Sequence, residues 1–347
     1  MLDVMTLRAM AVATAAVLVL TACSGGGSTD EPDPGPSERD AAEVVRYSPL
    51  TGLVMKETPN NPVFVVKIEN TANGAPQTGL DEADLVVEEL VEGGLTRLAA
   101  MYYSNVPERV GHVRSLRITD IGIAMPVNGA IVATGGANQA VNRVANAGVP
   151  VFSEDGGSAG FSSDPAKYRP YNRWVNLQTI AADAEVTAPT APFLPWAEPG
   201  QDQDAEPAPT ATASATTAEP APVTKASVRF SRSVTTTWKR SGEHWTRTNG
   251  YADPEFRADH LIVMFCRVGD AGYTDPAGNP VPSTELEGSG RAVILEPDGT
   301  PVELTWKKPA IDSPISFERA DGTPYTLSPG RAFIELVPKS DGSVDFS

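Results

Sequence analysis

The stretch Leu85-Val86-Val87-Glu88-Glu89-Leu90-Val91-Glu92-Gly93-Gly94-Leu95-Thr96-Arg97-Leu98-Ala99-Ala100-Met101-Tyr102-Tyr103 sets two extended runs on either side of a glycine pair. Such a pair is a strong hairpin signal, because both loop residues of the favoured tight turn need positive φ. With Gly93-Gly94 as the loop, Glu92 pairs with Leu95 and Leu90 with Arg97. One face then carries Glu88, Leu90, Glu92, Leu95, Arg97 and Ala99. The other carries Glu89, Val91, Thr96 and Leu98.

Upstream, Pro62 precedes the β-branched run Val63 to Glu69, and Gly79 to Asp84 reads as a turn or short helix. Downstream, Ser115 to Met125 predicts a helix and Gly129 to Thr134 a strand ending at Gly135-Gly136. Asn138 to Ala147 predicts a helix with Val141, Val144 and Ala145 on one face, closed by Gly148. A short strand follows over Val149 to Phe152. From Ser227 the chain reads as β. Val228 to Phe230, Val234 to Trp238 and Trp245 to Arg247 alternate, and Leu261 to Val268, which opens on the apolar run Leu261 to Cys266, reads as a buried strand. Ala292 to Leu295, Val302 to Trp306 and Phe333 to Val337 follow, separated by Asp-Gly and Pro-Gly turns. The expected class is α+β, with layered sheet and helix in the N-terminal part and a mainly β C-terminal part.

The ends and the middle read differently. Ala9 to Leu20 is an apolar run too short to span a bilayer, and it follows Arg8. Leu20-Thr21-Ala22-Cys23 comes next and resembles the lipobox of bacterial lipoproteins, in which the cysteine becomes the lipidated N-terminus. Residues 1–22 are therefore expected to be a signal peptide. Residues 23–45 are expected to be the lipid anchor and a Gly/Ser/Pro/Asp/Glu tether, with a reach of roughly 20–25 Å. Glu198 to Pro222 is Pro, Ala, Thr, Gln and acidic residues, too poor in apolar side chains to offset its ordering entropy. The expected division is thus an N-terminal domain over 46–197, an insertion over 198–224 and a C-terminal domain over 225–347.

The 347 residues carry a formal net charge of −17, which argues against nucleic acid and against a polybasic hold on anionic lipid. The chain has two cysteines. With Cys23 lipidated, Cys266 has no intrachain partner, and its apolar run predicts a buried thiol.

A set of motifs runs in order through both halves. It comprises Ser48-Pro49-Leu50-Thr51-Gly52, Ala75-Pro76-Gln77-Thr78-Gly79-Leu80, Ala83-Asp84, Glu92-Gly93-Gly94-Leu95-Thr96-Arg97 and Val113-Arg114-Ser115-Leu116-Arg117. It continues with Asn249-Gly250, Gly288-Ser289-Gly290, Ser328-Pro329-Gly330 and Val337-Pro338. In these the chain resembles the YerB-like bacterial lipoproteins, a family classed as a domain of unknown function. The resemblance implies an α+β fold in two parts and no established activity. Family members often carry His-Ala-Gly-Gly and His-Asn-Leu, where this chain has Ala133-Thr134-Gly135-Gly136 and Val175-Asn176-Leu177. A catalytic role resting on those histidines is not available here.

Glu88, Glu92, Arg97, Arg114 and Arg117, with the Gly135-Gly136 turn, form the best constellation. On the hairpin register above, Arg97 reaches Glu88 or Glu92 across the strands. An internal ion-pair network is favoured over a pocket in which Arg114 and Arg117 grip an anion beside the backbone N–H groups of Gly135-Gly136. Gly156-Gly157-Ser158-Ala159-Gly160 matches the nucleophile-elbow pattern in letters only, since no strand runs into the serine and no helix leaves it. His112, His244 and His260 make no zinc spacing, and a site from Asp253, Asp259 and His260 is outweighed by a solvated turn. Trp238, Trp245 and Trp306 read as sheet packing rather than, with Tyr251, a sugar-binding face.

No catalytic residue, metal or cofactor is assigned. The expected function is a lipid-anchored, extracytoplasmic cell-membrane protein that binds a ligand or partner. The expected contacts are the cytoplasmic membrane through Cys23 and an envelope protein or cell-wall fragment. The alternative is an envelope hydrolase or transferase acting on cell-wall polymer.

Deleting Glu198 to Pro222 should leave the thermal midpoint within a few degrees of wild type, because shortening a loop changes its closure entropy slowly. A larger fall in a melting experiment would mean that the segment packs.

Overall fold

The computed structural model describes residues 45–198 and 221–347. Cys23, the signal and tether over 1–44, and most of the predicted insertion lie outside the described residues. We number the strands of the two packed sheets in chain order.

The N-terminal segment supplies β1 (Phe64–Glu69), β2 (Leu85–Leu90), β3 (Thr96–Tyr102), β4 (Ala130–Ala133) and β5 (Val151–Ser153). The C-terminal segment supplies β6 (Lys225–Arg229), β7 (Thr235–Ser241), β8 (His244–Arg247) and β9 (Arg257–Ala258). It continues with β10 (His260–Cys266), β11 (Gly288–Leu295), β12 (Pro301–Lys308), β13 (Ser316–Glu318), β14 (Pro324–Tyr325), β15 (Ala332–Pro338) and β16 (Ser343–Phe346). The helices are α1 (Asp120–Ala124), α2 (Asn138–Asn146) and α3 (Leu177–Asp183). The fold is α+β.

One sheet of 11 strands has the order β14-β13-β12-β11-β10-β15-β2-β3-β1-β4-β5, and a second of 5 strands has the order β9-β8-β7-β6-β16. The two segments predicted as separate domains meet inside the large sheet. There β15 pairs parallel with β2, Ala332 opposite Leu85 through Leu336 opposite Glu89. Burial follows from this layering. β1, β10 and β15 are buried at every position, as expected of strands covered on both faces. In the small sheet β6 and β7 alternate between exposed and buried, as one-sided strands do.

Two cores result. Val65, Leu85, Val87, Ala99, Met101, Ile262 and Ile334 pack on one face with Leu116, Ile123, Ala140, Val144 and Phe193. Phe64, Val86, Leu98, Leu261 and Phe333 pack on the other, against Val228, Phe230, Trp238, Trp245 and Phe256 of the small sheet and its flanks, and against Leu177 and Ile180 of α3. Trp238 meets Phe333 edge to face at a centroid distance of 4.8 Å. Cys266 is buried on the first face, and burial raises its thiol pKa far above the ordinary value.

Two helices differ from expectation. The segment predicted as a helix over Ser115 to Met125 is helical only from Asp120. Upstream of it the backbone is held extended, Arg114 N–H donating to Lys67 O (2.8 Å) and Leu116 N–H to Gly135 O (2.9 Å). In α2 the buried residues are Ala140 and Val144, with Val141 and Ala147 partly covered, whereas Ala145 faces solvent. Gly148, at φ 75°, closes α2 in the left-handed region as predicted.

Candidate functional site

Gly93 and Gly94 both lie in the left-handed region, at φ 68° and 72°, and Leu95 N–H closes the turn on Glu92 O at 3.4 Å. The next bond skips a residue, because Val91 N–H donates to Leu95 O at 2.7 Å. Val91 and Glu92 therefore stand together opposite Leu95, as in a β-bulge. From there Leu90 pairs with Thr96, Glu89 with Arg97 and Glu88 with Leu98. The predicted two-glycine turn is present, but the extra residue shifts the register by one and exchanges the faces. Arg97 shares its face with Glu89 and Ala99, and Glu88 lies on the opposite side of the sheet.

On Arg97's face the strands bring a closed network together. Lys67 of β1 is fully buried, with Nζ 2.6 Å from Glu89 and 2.5 Å from Asp120 of α1. Glu69, opposite Arg97 in β1, stands 3.7 Å from its guanidinium and 2.5 Å from Arg114. Arg117 forks onto Glu92, Nε donating to Oε2 at 2.9 Å and Nη2 to Oε1. Asp120 also accepts Arg117 N–H at 2.7 Å. Lys67, Arg97, Arg114 and Arg117 thus balance Glu69, Glu89, Glu92 and Asp120 one for one. Burial, reinforced by the charge of Arg117, pulls the Arg97 guanidinium down to about 10 against the pull of Glu69. Burial pushes Glu92 up, but the hydrogen bond and charge of Arg117 outweigh it and hold the carboxyl below its usual range.

Of the predicted cluster, Glu92, Arg97, Arg114 and Arg117 come together and Glu88 does not. Arg114 and Arg117 are engaged rather than free, and Arg114 also lies 4.9 Å over the Tyr171 ring. Gly135 and Gly136 fit close packing. A Cβ on Gly135 would sit 1.8 Å from the Asp155 carboxylate, and one on Gly136 3.1 Å from the Leu116 side chain.

A second polar network lies on the other face, between the two sheets. Glu88 and Glu335 are opposite each other in the parallel β2–β15 ladder, and both are fully buried. Asn70 Nδ2 and Thr236 Oγ1 donate to Glu88 Oε1 at 3.1 and 3.3 Å, and Trp238 Nε1 donates to Glu335 Oε1 at 2.5 Å. Arg247 donates to Asn70 Oδ1 and Gln77 Oε1, each at 3.0 Å, and to Glu255 at 2.7 Å. Burial and the charge of Glu88 hold the Glu335 carboxyl well above its usual range, with Trp238 and Arg247 opposing. Burial likewise raises Glu88, with Arg247 opposing. Glu88 was singled out in the sequence but for the other network, and Glu335 showed there as one glutamate inside the apolar run Phe333-Ile334-Glu335-Leu336.

The histidines are structural in their contacts. His112 is buried between Gly74 O (Nδ1, 2.8 Å) and Asp164 (Nε2, 3.0 Å) and stacks on Trp174. His244 contacts Asp259 at 2.7 Å. His260 is not in a solvated turn: it opens β10, fully buried, with Nδ1 3.0 Å from Glu296. Ser328 Oγ lies 3.3 Å from His260 Nε2, so Ser328, His260 and Glu296 are ordered like a hydrolase triad. Nε2 is closer, at 2.9 Å, to the carbonyl of Ser328 itself. A carbonyl only accepts, so Nε2 carries a proton and has no lone pair with which to activate the hydroxyl. Ser158 sits in a turn, its Oγ accepting from Ser153 N–H at 3.0 Å. Among the described residues no group of three or more His, Cys, Asp and Glu is placed to hold a metal. Trp238, Trp245 and Trp306 are buried, as sheet packing requires.

Residues 50–190 match the N-terminal domain, and residues 226–334 the C-terminal domain, of the family described as "Protein of unknown function (DUF3048)". The chain is similar to "Putative lipoprotein YerB" of Bacillus subtilis (strain 168), 27% identical over 317 residues, 88% of this chain and 89% of that protein. The crystal structure of the YerB protein from Bacillus subtilis superposes with a TM-score of 0.67 at 20% identity, over 86% of this chain and 99% of that one. This likeness is one of fold.

Arg97→Ala removes a buried cation from beside Glu69 and should cost on the order of 3–5 kcal/mol in denaturant unfolding. Arg114→Ala, at the rim of the network, should cost less. Equal losses would contradict this account. Glu335→Gln tests the second network by pH. A carboxyl whose folded-state pKa is raised adds stability below its unfolded pKa and loses it as pH rises through the folded value. The glutamine variant has no such loss, so its stability relative to wild type should grow as pH rises above the ordinary glutamate value of about 4.3. Urea melts showing a constant or shrinking difference would rule this out.

Proposed function

The chain belongs to the DUF3048 family, and we propose that it is a lipid-anchored cell-envelope lipoprotein that binds a ligand or partner without transforming it. The observation that carries the anchor is Leu20-Thr21-Ala22-Cys23 after a short apolar run, in a chain similar along most of its length to a protein named a lipoprotein. Acyl chains on Cys23 would hold it to the extracytoplasmic face of the cytoplasmic membrane, each buried CH₂ contributing about 0.8 kcal/mol and one chain alone giving only marginal binding. Among the described residues no helix is long and apolar enough to cross a membrane.

What supports binding over catalysis is the engagement of the groups that could do chemistry. The arginines of the hairpin cluster are paired with carboxylates, and each histidine faces a carboxylate, two of them a backbone carbonyl as well. A partner in the envelope, a protein or a cell-wall fragment, suits such a domain held close to the membrane by its tether.

Cell fractionation tests the anchor. The wild-type chain should sediment with membranes and Cys23→Ala should leave them. Equal retention of both would refute the lipid hold.

A further inference from the structure

The motif Ser48-Pro49-Leu50-Thr51-Gly52, which neither polar network absorbs, forms the turn of a small ribbon at the start of the described residues. Arg46–Tyr47 pairs antiparallel with Val54–Met55, Arg46 opposite Met55 and Tyr47 opposite Val54. The turn is fixed to the body of the protein. Leu50 is fully buried, Phe193 N–H donates to Pro49 O at 2.9 Å, and Gly330 N–H donates to Thr51 O at 2.8 Å. Gly52, at φ 67°, lies so close to Trp196 that a Cβ would come within 2.8 Å of its side chain. The ribbon therefore keeps one orientation on the domain.

Directly opposite residues share a face, and so do residues two apart in a strand. Met55 turns inward and packs on the first core. Val45, Tyr47 and Val54 share the other face, with Leu53 next to Val54, and all four are exposed, from 41% at Tyr47 to 65% at Val54. They are four of the eight large apolar side chains left exposed among the described residues. An outward strand face in water is ordinarily polar, and the small sheet obeys this with Lys225, Arg229, Thr235 and Lys239 at exposed positions. The ribbon inverts the pattern, and a clustered apolar face of this kind marks a contact surface.

The place of this face in the chain supplies its partner. Val45 stands at the end of the predicted tether, 22 positions after Cys23. With acyl chains on Cys23 and a tether reach of roughly 20–25 Å, the bilayer is present at high effective concentration. Tyr47 has an apolar ring and a polar hydroxyl, which suits the headgroup level. Arg46 and Lys56, both exposed, flank the face and can extend to phosphates. Two cations make no polybasic patch, so the contact is apolar in the main, and the formal charge of −17 turns the remaining surface away from an anionic leaflet.

We propose that the face formed by Val45, Tyr47, Leu53 and Val54 rests in the headgroup layer of the membrane that carries the lipid anchor, and so fixes which side of the domain is turned to the envelope. Four partly exposed side chains are too few to hold the protein alone, so the face orients a domain that the acyl chains retain.

The inference rests on the reading of the protein as lipid-anchored and adds how the domain sits. To separate the two, the chain from Cys23 onward is coupled through the Cys23 thiol to a maleimide lipid in vesicles of equal parts phosphatidylcholine and phosphatidylglycerol. The buried Cys266 does not compete. Hydrogen exchange of the backbone amides is then compared free and on vesicles. Amides of residues 45–56 should exchange about tenfold more slowly on vesicles, at every surface density of protein, and Leu53→Asp and Val54→Asp should each restore the free rate. Both variants should melt like wild type, since neither side chain is buried. No slowing, or slowing that survives both substitutions, overturns the lipid contact. Slowing only at high surface density assigns the face to a second copy, and protection in the free chain that is lost on deleting Glu198 to Pro222 assigns it to that segment. Either result overturns the lipid assignment. Retention of wild type and Cys23→Ala in cells is a separate readout, so loss of the natural anchor is distinguishable from failure here.

Discussion

The parallel pairing of β15 with β2 is the contact on which the remaining architecture depends. Five residue pairs, from Ala332–Leu85 to Leu336–Glu89, convert two segments nearly 250 residues apart in sequence into one sheet. On one side of this seam run β10 to β14, and on the other β3, β1, β4 and β5. The small sheet then covers the seam, with Trp238 and Phe256 against Phe333. Such pairing repays its loop-closure entropy only when distant segments meet. Neither half could bury β2 or β15 on both edges alone.

Strands buried on both faces raise a problem that one-sided strands do not have. When every side chain is inside, hydrophobic alternation no longer distinguishes one register from the next. In β2 the adjacent glutamates supply the missing information. Glu89 points to Lys67, and Glu88 to Asn70, Thr236 and the neighbouring Glu335. A slip of one residue would aim Glu88 at the Lys67 pocket and set Glu89 among the partners of Glu88, exchanging two networks that are not interchangeable. Buried ion pairs seldom add net stability, because desolvation offsets their attraction. Their use here is to make the correct register the one in which buried carboxylates find partners.

Much of this was legible in the sequence. The glycine pair marked the hairpin, the alternation from Ser227 marked β strands, and Leu261 to Cys266 marked a covered strand. The bulge was not legible, because it consists of one hydrogen bond, Val91 to Leu95, whose choice depends on where Glu89 and Glu92 find cations. That single residue moved Glu88 out of the expected cluster and brought Glu89 in, while Lys67 and Glu69 join from β1 and Asp120 from α1. The helix over Ser115 to Met125 was overestimated for a related reason. Its first residues have helical spacing, but Leu116 N–H is taken by Gly135 O, and the Ser115 and Leu116 carbonyls accept from the Arg97 and Arg117 guanidinium groups. Local pattern gives the kind of element, and competition for backbone partners decides its ends.

The same competition bears on a recess of about 200 Å³ between the sheets. Asn70, Thr71 and Leu95 stand at the strand ends of one half, and Thr236, Arg247 and Tyr251 belong to the other. Arg247 reaches across the seam to both Asn70 and Gln77. The recess therefore exists only when the halves are paired, and its shape is set by the hydrogen bonds that fix the register beneath it. Tight packing of Glu88, Glu335 and Trp238 below leaves the floor little freedom to move. The adjustable parts are the half-exposed Leu95 at the hairpin tip and the Ser233 turn facing it.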